Sequence, residues 1–261
     1  MNRANRKAAM PYGLYISAEG AYAQTKRLES LANNMANVDT TGFKRDLAIF
    51  QARYSEEVER GNDSFGSRSV NDLAGGVVVR ETKTDFSAGA MKRTGMPTDM
   101  AVGGDGFFMV RRPDGDFLTR AGNFMMTSAG RLVTQDNYPV LSDSGTPIDI
   151  DPEQGDWHLT STGAISQEGS EQNLALVQPR SLGDLAKMGD NLFKALAPPQ
   201  PVADEQRSVQ GGYLEQSDVK PTAEMMELIE ASRAFEANIS MIKNHDAMAT
   251  ALTERLLLTP S

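Results

Sequence analysis

A chain of 261 residues with 39% hydrophobic and 23% charged residues has apolar mass for one large or two modest domains. Its formal net charge of -9, with no Lys/Arg run longer than two, argues against general binding to nucleic acid or an anionic membrane, since phosphate contacts need a basic surface. The absence of cysteine excludes disulfides, thiolate zinc sites and a cysteine nucleophile, and suits a chain that must cross a membrane unfolded.

Residues 1–10 are polar and basic through Arg3, Arg6 and Lys7, and are expected to form a disordered extension. Pro11, Gly13, Ser17, Glu19 and Gly20 interrupt the stretch that follows, so no signal-peptide core is expected. No segment holds the about 18 apolar residues of a membrane span, and none is expected. A cytoplasmic protein is the plain reading, and export without a cleaved signal is the alternative.

Pro11 suits a first helical turn, where its missing N–H costs nothing. The helix it opens runs to about Met35. Leu14, Ala21, Leu28 and Met35 fall every seven residues, with Leu31 and Val38 in a second row. Such a stripe calls for a partner helix. The helix dissolves in the turn-forming cluster Asn33, Asn34, Asn37, Asp39 and Gly42. The amides of Asn34 and Asn37 either close the helix or fix register between packed helices.

Leu47, Phe50, Tyr54 and Val58 recur at 3–4 spacing and predict a second helix over 46–59. Gly, Ser, Asn and Asp over 60–76 read as a loop, which makes 46–76 a linker or arm. From Val77 the period changes to two. Short apolar runs at 77–79, 107–110 and 174–177 are separated by turn clusters at 103–106, 113–115, 128–130 and 142–145. Residues 77–218 therefore read as an antiparallel β body, barrel or sandwich-like.

A final helix starts near Pro221 or Thr222 and runs to about Leu258, about 55 Å at 1.5 Å per residue. Leu228, Phe235, Ile242, Ala249 and Leu256 repeat every seven residues, with Ala231, Ile239 and Leu252 beside them. The fold class is α+β, with residues 11–45 and 219–261 as a terminal-helix domain of coiled-coil type. The helices bury their seams against each other, in one chain or between chains, or else each packs on the β body. Lacking a partner before assembly, long single helices are marginal in water, so disorder is expected in the isolated chain.

Chemistry-bearing residues are sparse. His158 and His245 are the two histidines, and no Gly-x-Ser-x-Gly elbow supports a serine triad. Asp149 and Asp151 flank Ile150 and would share one strand face, as an acid/base pair or, more ordinarily, as a charged strand edge. Gly103-Gly104-Asp105-Gly106 lacks the Lys-Ser/Thr of a phosphate loop and reads as a tight turn. Phe107 and Phe108 should point to opposite faces of one strand. No catalytic residue, cofactor or metal is expected.

Five collinear blocks carry a family resemblance. They are Gly13-Leu14-Tyr15 with residues 31–44, ending Asp39-Thr40-Thr41-Gly42-Phe43-Lys44; residues 99–108; residues 119–124 with 130–134 and 138–140; residues 189–193; and residues 211–219 with 233–238. Together they resemble the bacterial flagellar rod and hook proteins, of the FlgF/FlgG type. The size and single β body fit a rod member better than a hook subunit, which carries extra outer domains. The resemblance does not separate the proximal from the distal rod member.

The resemblance implies a structural subunit that is exported through the flagellar type III apparatus and polymerises with itself and with other rod or hook proteins. It implies a helical shaft in the basal body that transmits torque. Its assembly interface would comprise Leu14, Ala21, Leu28, Leu31, Asn34, Met35, Asn37, Leu228, Phe235, Ile239, Ile242, Leu252 and Leu256. An envelope hydrolase built on Asp149 and Asp151 and a β-domain binding module are the rival readings.

Overall fold

The computed structural model describes residues 12–54, 58, 60–62, 64 and 76–257. The expected N-terminal extension and most of the 60–76 loop lie outside the described residues. Contacts divide the chain into two compact units: the described parts of 1–35, 46–83 and 220–261, and residues 36–45 with 84–219.

The first unit holds both long helices, α1 (Tyr12–Ala36) and α2 (Pro221–Leu257). Pro221 occupies the first turn of α2, where no N–H is missed, and Glu224 N–H closes onto Lys220 O at 3.0 Å. The helices touch from Asn34 and Glu224 at one end to Gly13 and His245 at the other. Arg27 Nη2 lies 3.3 Å from Glu227 Oε2, and Asn34 Nδ2 lies 3.4 Å from Glu224 Oε2. A Cβ on Gly20 would stand 2.9 Å from Asn238 Oδ1, and one on Gly13 2.7 Å from His245 Nε2. As α1 positions fall, α2 positions rise, so the two run antiparallel.

The same unit holds β1 (Asp46–Ala52) and β2 (Val77–Thr84), which pair as a two-stranded sheet. The helix predicted over 46–59 is therefore corrected: its first half is a strand. The side chain of Asn34 explains this. It donates to Asp46 O at 2.9 Å and accepts from Asp46 N–H at 2.8 Å, while Ser30 Oγ donates to the same carbonyl at 3.1 Å. An amide that satisfies both backbone groups of Asp46 holds it extended and overrides a helical spacing.

The second unit is the β body. It comprises β3 (Met91–Arg93), β4 (Met100–Val102), β5 (Phe107–Arg112), β6 (Gly115–Thr119), β7 (Met125–Met126) and β8 (Leu132–Val133). It continues with β9 (His158–Leu159), β10 (Ala164–Gln167), β11 (Ser170–Asn173), β12 (Leu176–Gln178), β13 (Leu185–Lys187) and β14 (Leu192–Ala195). It closes with β15 (Gln200–Pro201), β16 (Val209–Gly211) and β17 (Tyr213–Glu215).

The largest sheet has six strands in the order β13-β14-β6-β5-β12-β15, every pair antiparallel. The expected turn at 103–106 joins β4 to β5, with Gly104 at φ 75°.

Phe107 and Phe108 do take opposite faces, and both are buried. Phe108 joins the main core with Met100, Val110, Leu132, Ile148 and Leu176. Phe107 packs on the other face with Leu118, Val177 and Phe193, capped by Phe86. A sheet buried on both faces needs cover beyond a simple two-layer sandwich.

Candidate assembly interface

In the helix unit the facing residues of α1 step by seven, Gly13, Gly20, Arg27 and Asn34, and meet His245, Asn238, Glu227 and Glu224 of α2. Ala231, fully buried, falls between Glu224 and Asn238 at the same spacing. Glycine at 13 and 20 removes the side chains that would collide with His245 and Asn238, which lets the helices approach closely.

The expected interface residues divide by burial. Ala21, Leu31 and Asn34 are buried. Leu14, Leu28, Met35, Leu228, Phe235, Ile239 and Ile242 are half-buried. Leu252 is 65% exposed. Leu256 lies in α2, but its side chain falls outside the described residues. Asn34 bonds Asp46 and Glu224 and so fastens α1 to β1 and α2. Asn37 instead closes the turn after α1, its carbonyl accepting from Thr40 N–H at 3.2 Å and its Oδ1 from Thr40 Oγ1 at 3.1 Å. Sequence reasoning missed Gly13, Gly20 and Arg27. Their signal was a second seven-residue row, one position before the apolar one and made of small and polar residues.

A buried charge cluster anchors the β unit. Lys44 Nζ donates to Glu215 Oε1 at 2.6 Å and to Ser87 O at 2.7 Å, and both side chains of the ion pair are 1% exposed. Gly89 N–H adds a bond to Glu215 Oε1 at 2.9 Å, and Arg120 Nη1 reaches Oε2 at 3.5 Å. Arg120 also donates to Gly104 O at 2.6 Å and lies over the Phe107 ring at 4.7 Å. Burial pulls the Arg120 guanidinium below its ordinary value, and the charges of Glu215 and Asp105 pull it back up.

Gly42, at φ 64°, donates its N–H to Glu215 O at 2.7 Å, and a Cβ there would meet the Arg120 carbonyl carbon at 2.5 Å. Phe43 is buried, with Lys187 Nζ 4.0 Å from its ring centre. Four sequence blocks thus converge here: 39–44, 99–108, 119–124 and 211–219. The sequence showed no sign of the pairing, because its members lie up to 171 positions apart.

The residues weighed for catalysis do not converge. Asp149 forms a two-pronged exposed pair with Arg131, at 2.8 and 3.4 Å, which raises the Arg131 pKa. Asp151 Oδ1 accepts from Glu153 N–H at 2.9 Å. His158 is exposed on β9, and His245 sits in α2 against Gly13. Among the described residues no helix is long and apolar enough to cross a membrane.

Two paired terminal helices with a Gly- and Asn-lined contact, joined in sequence to a β body locked by a buried ion pair, define a class of elongated-helix structural subunits. Three family models match the chain: Flagella basal body rod protein over 14–44, Flagellar hook protein FlgE/F/G D1 domain over 101–167, and Flagellar basal body rod FlgEFG protein C-terminal over 210–255. The chain is 36% identical over 251 residues to the flagellar basal-body rod protein FlgF of Caulobacter vibrioides, covering 95% of this chain and 98% of that one. It is 31% identical to the rod protein FlgG of Bacillus subtilis, with 92% and 97% covered. FlgF of Rhizobium meliloti is 32% identical, with 95% and 98% covered. The chain belongs to the flagellar basal-body rod protein family.

Proposed function

We propose that this chain is a non-enzymatic structural subunit of the bacterial flagellar basal-body rod. The observation that carries the reading is similarity along nearly the whole length of relatives named as rod proteins. In this reading α1 and α2 form a coiled-coil-type domain, and the half-buried Leu14, Leu28, Met35, Phe235, Ile239 and Ile242, together with exposed Leu252, pack against neighbouring subunits. Contacts of this kind, which do not close on themselves, build a helical shaft able to carry torque. The partners are further copies of this chain and other rod or hook proteins. The chain reaches the basal body through the flagellar type III apparatus without a cleaved signal.

Supporting this, among the described residues six large apolar side chains on α2 stay exposed in the single chain, available for contact with a neighbouring subunit. The test is complementation of a strain lacking this gene, read by swimming and by electron microscopy of isolated basal bodies. Restored rods and motility are expected. Normal rods in the uncomplemented strain would overturn the reading.

A further inference from the structure

Among the described residues, the large apolar side chains exposed on α2 are Met225, Met226, Ile229, Met241, Met248 and Leu252. Four of the six are thioethers, each 51–68% exposed. The four methionines and Ile229 lie off the Glu224–Ala231–Asn238–His245 line that faces α1, whereas Leu252 continues that line beyond the last contact. A thioether is soft and adaptable, suited to filling an irregular apolar contact. One added oxygen makes it polar and chiral. The chain has 14 methionines and no cysteine, so no thiol competes for an oxidant.

We propose that Met225, Met226, Met241 and Met248 form a sulfoxidation site through which an oxidant of the hypochlorous acid class prevents the free chain from assembling. The inference rests on the reading that these exposed side chains of α2 are buried between subunits. In the reaction the sulfur lone pair is oxidised by two electrons and chlorine is reduced to chloride. Oxygen is retained on sulfur, so thioether and hypochlorous acid give sulfoxide, chloride and a proton. Each sulfoxide oxygen then needs a hydrogen-bond donor that an apolar contact does not supply. Once assembled, the same sulfurs are covered and react slowly.

The experiment treats the purified full chain with substoichiometric hypochlorous acid and locates oxygen gain by peptide mass spectrometry. Assembly is driven by sulfate, which favours apolar burial, and read by pelleting. Oxidation at the four α2 positions should lower assembly about tenfold, the change that about 1.4 kcal/mol of lost contact free energy produces. Methionine sulfoxide reductases A and B should restore it. A variant with all four changed to leucine conserves volume and helix propensity, and should assemble with or without oxidant.

Equal assembly of oxidised and untreated wild type overturns the switch alone. Equal oxidant sensitivity of the leucine variant does the same, since Met91, Met96, Met125, Met126 and Met188 of the β unit would then carry the effect. An untreated wild type that neither assembles nor complements the deletion strain overturns the packing reading and the switch with it.

Discussion

Lys44 and Glu215 are each a charge taken almost wholly out of water, and that is costly unless every lone pair and proton is used. Beyond the pair itself, Ser87 O takes a second Lys44 proton, and Gly89 N–H and Arg120 donate to the Glu215 carboxylate. Removing one partner leaves the other buried and unpaired. Lys44→Met or Glu215→Gln should therefore destabilise the β unit by about 3–5 kcal/mol, measured by urea unfolding followed at the aromatic signal. A loss below 1 kcal/mol would show that the pair is solvated in solution. Gly42→Ala adds a Cβ at φ 64° against the Arg120 backbone. It should cost more than about 1 kcal/mol by the same assay, because both strain and collision oppose it.

At the scale of elements, α1 and α2 meet within one chain, so the disorder expected of isolated terminal helices is now expected chiefly where those contacts end. Contacts to α1 run from Glu224 to His245, and 246–254 are exposed throughout. Amide hydrogen exchange on the monomer should show protection over 224–245 and little beyond. Uniform protection to residue 254 would mean that another surface holds the end of α2.

Substituting Gly20 by valine places branched carbon where Asn238 sits, and should separate the helices and lower helical circular dichroism. Phe235→Asp or Leu28→Asp puts a charge at a half-buried apolar position. Each should abolish incorporation into rods and swimming while the β unit keeps its near-ultraviolet spectrum. Normal swimming by both variants would remove these residues from the interface.

At the scale of the whole molecule, the carboxylates weighed for catalysis have separate local partners, Arg131 for Asp149 and Glu153 N–H for Asp151. Changing Asp149, Asp151 and His158 together to alanine loses an exposed pair with Arg131 and a local bond from Glu153 N–H, both in contact with solvent and of little consequence for the fold. Swimming should be unchanged in the complemented strain. Loss of motility by a variant with a native circular dichroism spectrum would bring back an enzymatic role.

What the sequence by itself determined follows from local rules. Pro221 and the seven-residue apolar rows placed both helices, because helix starts and period are written in neighbouring residues. Alternation and Gly-rich turns placed the antiparallel β body in the same way. Phe107 and Phe108 could be assigned to opposite faces from strand geometry alone.

Only the tertiary structure decided the rest. Residues 46–52 became a strand because the Asn34 amide, twelve positions earlier, captured both backbone groups of Asp46. The facing row of α1 became Gly13, Gly20, Arg27 and Asn34, because close approach needs small residues where the partner's side chains enter. Lys44, Glu215 and Arg120 read as surface charges in a linear chain. Only the fold brings them together out of water, where their pairing becomes a condition of stability.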